Sequence, residues 1–154
     1  MYDKKAERAR QLFKEGYNCA QAVVGAFAEE MGMDFDTAIK LASSFGGGMG
    51  RMREVCGCVS GMVFVISSLY GYSDPKDFDS KKELYQRINQ VANTFKEKNG
   101  SIICKELLGL EKKDGIVPEK RTDAYYKKRP CSELCKIAGD ILEDYIKNNC
   151  LQNM

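Results

Sequence analysis

Between Glu54 and Asp74 the chain runs for 19 residues without a charge, V-C-G-C-V-S-G-M-V-F-V-I-S-S-L-Y-G-Y-S. Such a run must be covered by protein or by lipid, since exposed apolar surface costs roughly 25 cal/mol per Å². A bilayer span needs about 20 predominantly apolar residues. Here Gly57, Ser60, Gly61, Ser67, Ser68 and Gly71 dilute the apolar content. The reading is a central buried helix with no membrane insertion. Gly57 and Gly61 stand four apart, which clears one face and lets another backbone come close.

The rest of the chain repeats the helical period. Ala6, Ala9, Leu12 and Phe13 form one apolar face closed by Gly16. Asn18 reads as an N-cap for a second helix through Cys19, Ala22, Val23, Ala26 and Phe27, ending near Gly32. Asp36 reads as the cap of a third, through Ala38, Ile39, Leu41 and Ala42, which stops at Gly46 to Gly48. The central helix is expected to start at Glu54 or Val55 and to reach Gly71. Asp74-Pro75 predicts the start of a long helix bearing Leu84, Ile88, Val91 and Phe95 and ending near Asn99-Gly100. Ser101 is expected to cap the next, with Cys104 three residues in. Leu110 to Arg129 is polar and reads as a surface loop. Pro130 then opens a last helix carrying Leu134, Cys135, Ala138, Ile141, Leu142 and Tyr145 on one face. No run alternates as a strand would. The expected fold is therefore an all-α, single-domain bundle (1–154) of about six helices, with a glycine-rich turn before the central one.

At 154 residues one domain hides about two-thirds of the surface its unfolded chain exposes, so no disulfide framework is needed. The 24 basic and 22 acidic residues are interspersed, which argues against a nucleic-acid partner. The N-terminus M-Y-D-K-K is charged from its third residue, unlike a secretory signal. A cytoplasmic location is expected.

Seven cysteines and no histidine narrow the chemistry sharply. An odd number cannot pair completely within one chain, and a reducing compartment opposes ordinary disulfides. Without imidazole there is no Cys-His nucleophile pair and no His-containing zinc site. Cys19, Cys56, Cys104 and Cys131 each fall at or beside an expected helix start, where free N–H groups and the helix dipole favour a thiolate. They are separated by 37, 48 and 27 positions, so only tertiary folding can bring them together. Burial as small apolar side chains is the competing reading. Cys58, in C-G-C, and Cys135, four residues after Cys131, are secondary candidates.

These cysteine contexts resemble the family of redox-active proteins named for a C-GCAxxG-C-C pattern. G-Y-N-C-A-Q-A-V around Cys19 is similar to its first motif, and F-G-G-G-M-G-R-M-R-E-V-C-G-C-V-S-G to its centre. There Cys56, Gly57 and Gly61 match, while Cys58 occupies a place usually held by alanine. Cys104 in I-C-K-E-L-L-G and Cys131 in R-P-C correspond to the third and fourth family cysteines. The resemblance implies a bacterial or archaeal redox-active protein with no established substrate. Cys58, Cys135 and Cys150 depart from the pattern.

Three functions follow as expectations. In the first, Cys19, Cys56, Cys104 and Cys131 converge as a redox site that binds an iron–sulfur cluster or cycles between dithiol and disulfide; tetrahedral zinc suits the same four sulfurs, and no metal at all is the remaining alternative. In the second, Gly46, Gly47, Gly48, Gly50, Arg51 and Arg53 form a small-molecule or anion site, although the segment lacks the G-K-S/T ending of a P-loop. In the third, the sulfurs are dispersed in a structural bundle. Met49 and Met52 are expected to fill gaps around the turn, and Tyr125 to Arg129 to be a solvated surface. The redox partner, a homodimer and enzymatic turnover are left open.

Overall fold

In the computed structural model, which describes residues 4–111 and 114–150, the hydrophobic periodicity becomes helices throughout. They are α1 Lys5–Lys14, α2 Cys19–Ala26, α3 Phe35–Ala42 followed by a 3₁₀ turn at Ser43–Phe45, and α4, a single turn at Gly46–Met49. Then come α5 Gly57–Tyr70, α6 Phe78–Asn99, α7 Cys104–Leu107, α8 Asp123–Lys128 and α9 Cys131–Asn148. Among the described residues the only strand-like pairing is an isolated antiparallel bridge between Val55 and Ile103. The all-α expectation holds. No helix among the described residues is long and apolar enough to cross a membrane.

The uncharged run is α5, and its Gly57, Cys58, Val59, Gly61, Met62, Val65 and Ile66 are buried. It packs on α2 through the cleared face. A Cβ at Gly57 would lie 3.0 Å from the Ala20 nitrogen and 3.0 Å from Cys19 Cβ, and one at Gly61 would lie 2.9 Å from Val23 Cβ. Larger residues would push the two helices apart. Around this pair, Leu12 and Phe13 of α1, Val91 and Phe95 of α6 and Leu142 of α9 complete one core. Fully burying each such side chain is worth about 1.5–3 kcal/mol.

Several boundaries differ from the sequence expectation. Asp34, not Asp36, caps α3, accepting from the Thr37 N–H at 3.1 Å. Asp77, not Asp74, caps α6 through the Ser80 N–H at 3.0 Å. In both cases two acidic residues lie within a few positions, and the one whose carboxylate reaches the third amide of the helix wins. The second helix stops at Ala26, six residues before Gly32. Helix α5 begins at Gly57, two to three residues late, because the Cys56 N–H is already bonded to Ile102 O at 2.8 Å. Ser101 supports α7 from outside it: its hydroxyl accepts from the Ile103 N–H at 2.9 Å and donates to Glu106 at 2.6 Å. The expected 110–129 loop contains α8 and ends in a buried Arg129; within it Lys112 and Lys113 lie outside the described residues. Met49 and Met52 are exposed, so they fill no gap.

The glycine-rich turn is left-handed. Gly47, Gly48, Met49, Gly50 and Arg51 have consecutive φ values of 67°, 68°, 70°, 56° and 61°, and Arg53 follows at 60°. Left-handed backbone costs an ordinary residue roughly 1–2 kcal/mol, and glycine is spared this. That is why three of the five are glycines.

Candidate functional site

Four helix starts meet at one cavity. Cys19 is the first residue of α2, after a capping box in which Asn18 accepts from the Gln21 N–H at 2.9 Å. Cys56 is the residue that caps α5, Cys104 opens α7, and Cys131 opens α9 behind Pro130. All four line a cavity of about 310 Å³ together with Gly46, Gly47, Gly48, Gly50, Arg51, Arg53, Arg121, Tyr125 and Arg129. Two segments are stitched together to make its floor: Cys104 N–H donates to Glu54 O at 2.6 Å, and Lys105 N–H to Arg53 O at 3.2 Å. These bonds bring Cys104 beside Cys56 although 48 residues separate them.

Cys58 and Cys135 are fully buried and stand outside the cavity lining. Their sulfurs are 3.6 Å apart. The sulfurs of Cys19, Cys58 and Cys135 all lie within 4.8 Å of one another. Cys131, one helical turn before Cys135, lines the cavity together with Cys19. Six of the seven cysteines are therefore buried, and Cys150 is exposed. The i, i+4 spacing of Cys131 and Cys135 was the available signal that both face the same site.

The thiols do not share one electrostatic character. Hydrogen bonds from Cys131, Cys135 and Cys58 hold Cys19 well below the ordinary thiol range. Cys131 is raised chiefly by its bond to Cys19, Cys58 chiefly by its bond with Cys135 and then by that to Cys19, and Cys135 chiefly by burial. Burial raises Cys104, against the guanidinium of Arg53, whose Nη1 lies 3.5 Å from Cys104 Sγ. The expectation that a helix start depresses the thiol is corrected for Cys104 and Cys131. A dipole is worth at most about 2 kcal/mol, and desolvation of a buried anion exceeds it unless donors converge, as they do on Cys19.

An arginine cluster forms the facing wall. Arg53 grips Asp114 with two bonds, Nε to Oδ1 at 2.7 Å and Nη2 to Oδ2 at 2.9 Å, and Arg51 adds a third at 2.9 Å. Chiefly through the bond from Arg53, the Asp114 carboxyl is held down at about 2. Arg129 pairs with Glu119 and stands 3.7 Å from Asp114. Arg121 lies 4.2 Å above the Phe13 ring and donates to Phe13 O at 2.8 Å and Tyr17 O at 3.0 Å. Burial above all pushes the Tyr125 hydroxyl up to about 12. Tyr125 and Arg129 thus belong to the cavity wall, while Lys127 and Lys128 between them are exposed as a solvated surface would be. Sequence reasoning missed Asp114 and Arg121, and read Arg129 as surface, because nothing in a polar segment marks which charges turn inward.

The glycine-rich segment contributes its shape. Its Gly50, Arg51, Arg53 and Glu54 amides donate to carbonyls of residues 44 to 48. Their N–H groups are spent within the turn.

A family model described as "Putative redox-active protein (C_GCAxxG_C_C)" matches residues 17–145. No curated protein and no solved structure matches the chain.

Proposed function

Because the chain belongs to the C_GCAxxG_C_C family, we propose that its buried thiols form a two-electron dithiol/disulfide centre with Cys19 as the attacking sulfur. The supporting observation is that the Cys19 sulfur packs within 4.8 Å of those of Cys58 and Cys135 while Cys19 and Cys131 both line the cavity. A thiolate is the nucleophile in exchange, and donors that stabilise it raise its population at neutral pH. Cys19 attacks one sulfur of an external disulfide; a mixed disulfide forms and the external bond breaks, releasing one thiolate. Cys131 passes its proton to that thiolate and attacks Cys19 Sγ, forming the Cys19–Cys131 bond and expelling the second external sulfur as a thiolate, which takes its proton from solvent. Two electrons and the one Cys131 proton leave the protein in each cycle. Cys58 and Cys135 hold the Cys19 sulfur in place.

The close triad of Cys19, Cys58 and Cys135 favours a second reading, a thiolate-bound metal or iron–sulfur centre. The donor set fits a soft metal: sulfurs only, buried, with Cys131 in contact as a fourth. Bound there, an iron–sulfur cluster would supply one-electron chemistry and zinc would supply structure alone. The residues that would hold either are Cys19, Cys58, Cys131 and Cys135, with Cys56 and Cys104 on the cavity side.

Anaerobic purification followed by metal analysis and visible absorption separates the two readings. The exchange centre predicts metal-free, colourless protein that loses two thiols on treatment with neutral 2-hydroxyethyl disulfide, with Cys19 in the bridged peptide. Stoichiometric metal selects the second reading. Metal-free protein whose thiol count is unchanged by the disulfide refutes both.

A further inference from the structure

One polar atom in the cavity wall has no explanation in the fold. Arg129 has a side chain only 6% exposed, and its Nε is buried without a hydrogen-bond partner among the described residues. An unpaired donor on a charged group is among the more expensive buried defects. The wall it belongs to is positively biased, with the guanidinium groups of Arg51, Arg53, Arg121 and Arg129 against the carboxylates of Asp114 and Glu119. A cavity near 310 Å³ sits at the small end of the range for small-molecule sites.

We infer that the cavity is a subsite for an oxyanion, and that the small molecule exchanging electrons with the thiols carries a carboxylate. Arg129 supplies a nearly buried guanidinium in the cavity wall, and Arg53, fixed by its two bonds to Asp114, supplies the charge beside Cys104. The amides of Gly50, Arg51 and Arg53 are bonded within the turn, so the oxyanion is assigned to the guanidinium groups. Apolar lining from Phe13, Leu107, Leu108 and Ile116 takes the carbon skeleton. This inference rests on the exchange reading and adds the charge of the substrate to it. In the net reaction one substrate S–S bond breaks, Cys19 and Cys131 form one, and the Cys131 proton together with one from solvent completes two molecules of product thiol.

Three small disulfides of similar size test it: 3,3′-dithiodipropionate (anionic), 2-hydroxyethyl disulfide (neutral) and cystamine (cationic). Pre-reduced protein should be oxidised by the anionic reagent at least about tenfold faster than by the neutral one, the factor expected of one charge-assisted hydrogen bond. Cystamine should be slower than either. Arg129→Gln should remove most of the anionic advantage, read as the ratio of the anionic to the neutral rate within the same variant, and Arg129→Lys should restore only part of that ratio. Equal rates for all three reagents would overturn the subsite and leave the exchange centre standing. Oxidation by none would refute the exchange centre. The subsite is then decided by calorimetry on Cys19→Ser protein: saturable binding of succinate, weakened by Arg129→Gln, upholds it, and no binding overturns it. Inorganic sulfate run in parallel distinguishes a carboxylate subsite from a general oxyanion site.

Discussion

Replacing Gly48 with alanine should damage the fold and the site together, and the structure says by how much. Gly48 has φ +68°, so any side chain there carries about 1–2 kcal/mol of left-handed strain. An added Cβ would also lie 2.7 Å from Cys104 Cβ, 2.7 Å from the Glu54 nitrogen and 2.8 Å from Arg53 Cα. Two of those atoms are backbone and cannot swing aside, so overpacking adds about 1–3 kcal/mol. The total is roughly 2–5 kcal/mol, a large part of the 5–15 kcal/mol typical of a domain. Gly50 provides the control. Its φ is +56°, and a Cβ there meets nothing within 4 Å, so Gly50→Ala should carry the strain alone, about 1–2 kcal/mol. With a urea slope of about 2 kcal/mol/M, the midpoint should fall by roughly 1–2.5 M for Gly48→Ala and roughly 0.5–1 M for Gly50→Ala. Cys104 should also react faster with a neutral alkylating agent in Gly48→Ala, as the α7 start is displaced. Equal midpoints for the two variants would show that the close approach of Gly48 to Cys104 is not what holds the turn against α7.

Other outcomes follow from the same geometry. Asp114 is held near 2, below the ordinary 3.8, so its contribution to stability is present above about pH 4 and lost as pH falls toward 2; acid titration by circular dichroism should show this, and Asp114→Asn should flatten that part of the curve while lowering stability at pH 7. Phe13 is 1% exposed and stacks under Arg121, so Phe13→Ala should lose about 3–5 kcal/mol in a thermal or urea melt. Cys19→Ser should abolish disulfide formation on exposure to 2-hydroxyethyl disulfide, whereas Cys150→Ser, altering the exposed thiol, should leave the intramolecular bridge seen by peptide mapping unchanged.

What the chain discloses without coordinates depends on how local the cause is. The helices were legible because apolar spacing is a local pattern, and the close packing of α5 was legible in Gly57 and Gly61, which α2 meets through Ala20 and Val23. Caps were misplaced where acidic residues compete over two or three positions, as with Asp34 and Asp36. The convergence of Cys19, Cys56, Cys104 and Cys131 on one cavity is a tertiary event, and their context near helix starts was its only local trace. Two properties had no local trace. The split of the thiols into one depressed sulfur and its raised neighbours comes from contacts between α2, α5 and α9. The inward turn of Arg129 comes from its carboxylate partners at Asp114 and Glu119.

The thiol cluster draws Cys135 onto the Cys19 carbonyl across 116 positions. During synthesis, the sulfurs of α2 and α5 therefore emerge from the ribosome long before the helix that shields them exists. Nascent chains that end before α9 present unguarded cysteines to the surrounding oxidants, and the last eighteen-residue helix is the piece that closes this window.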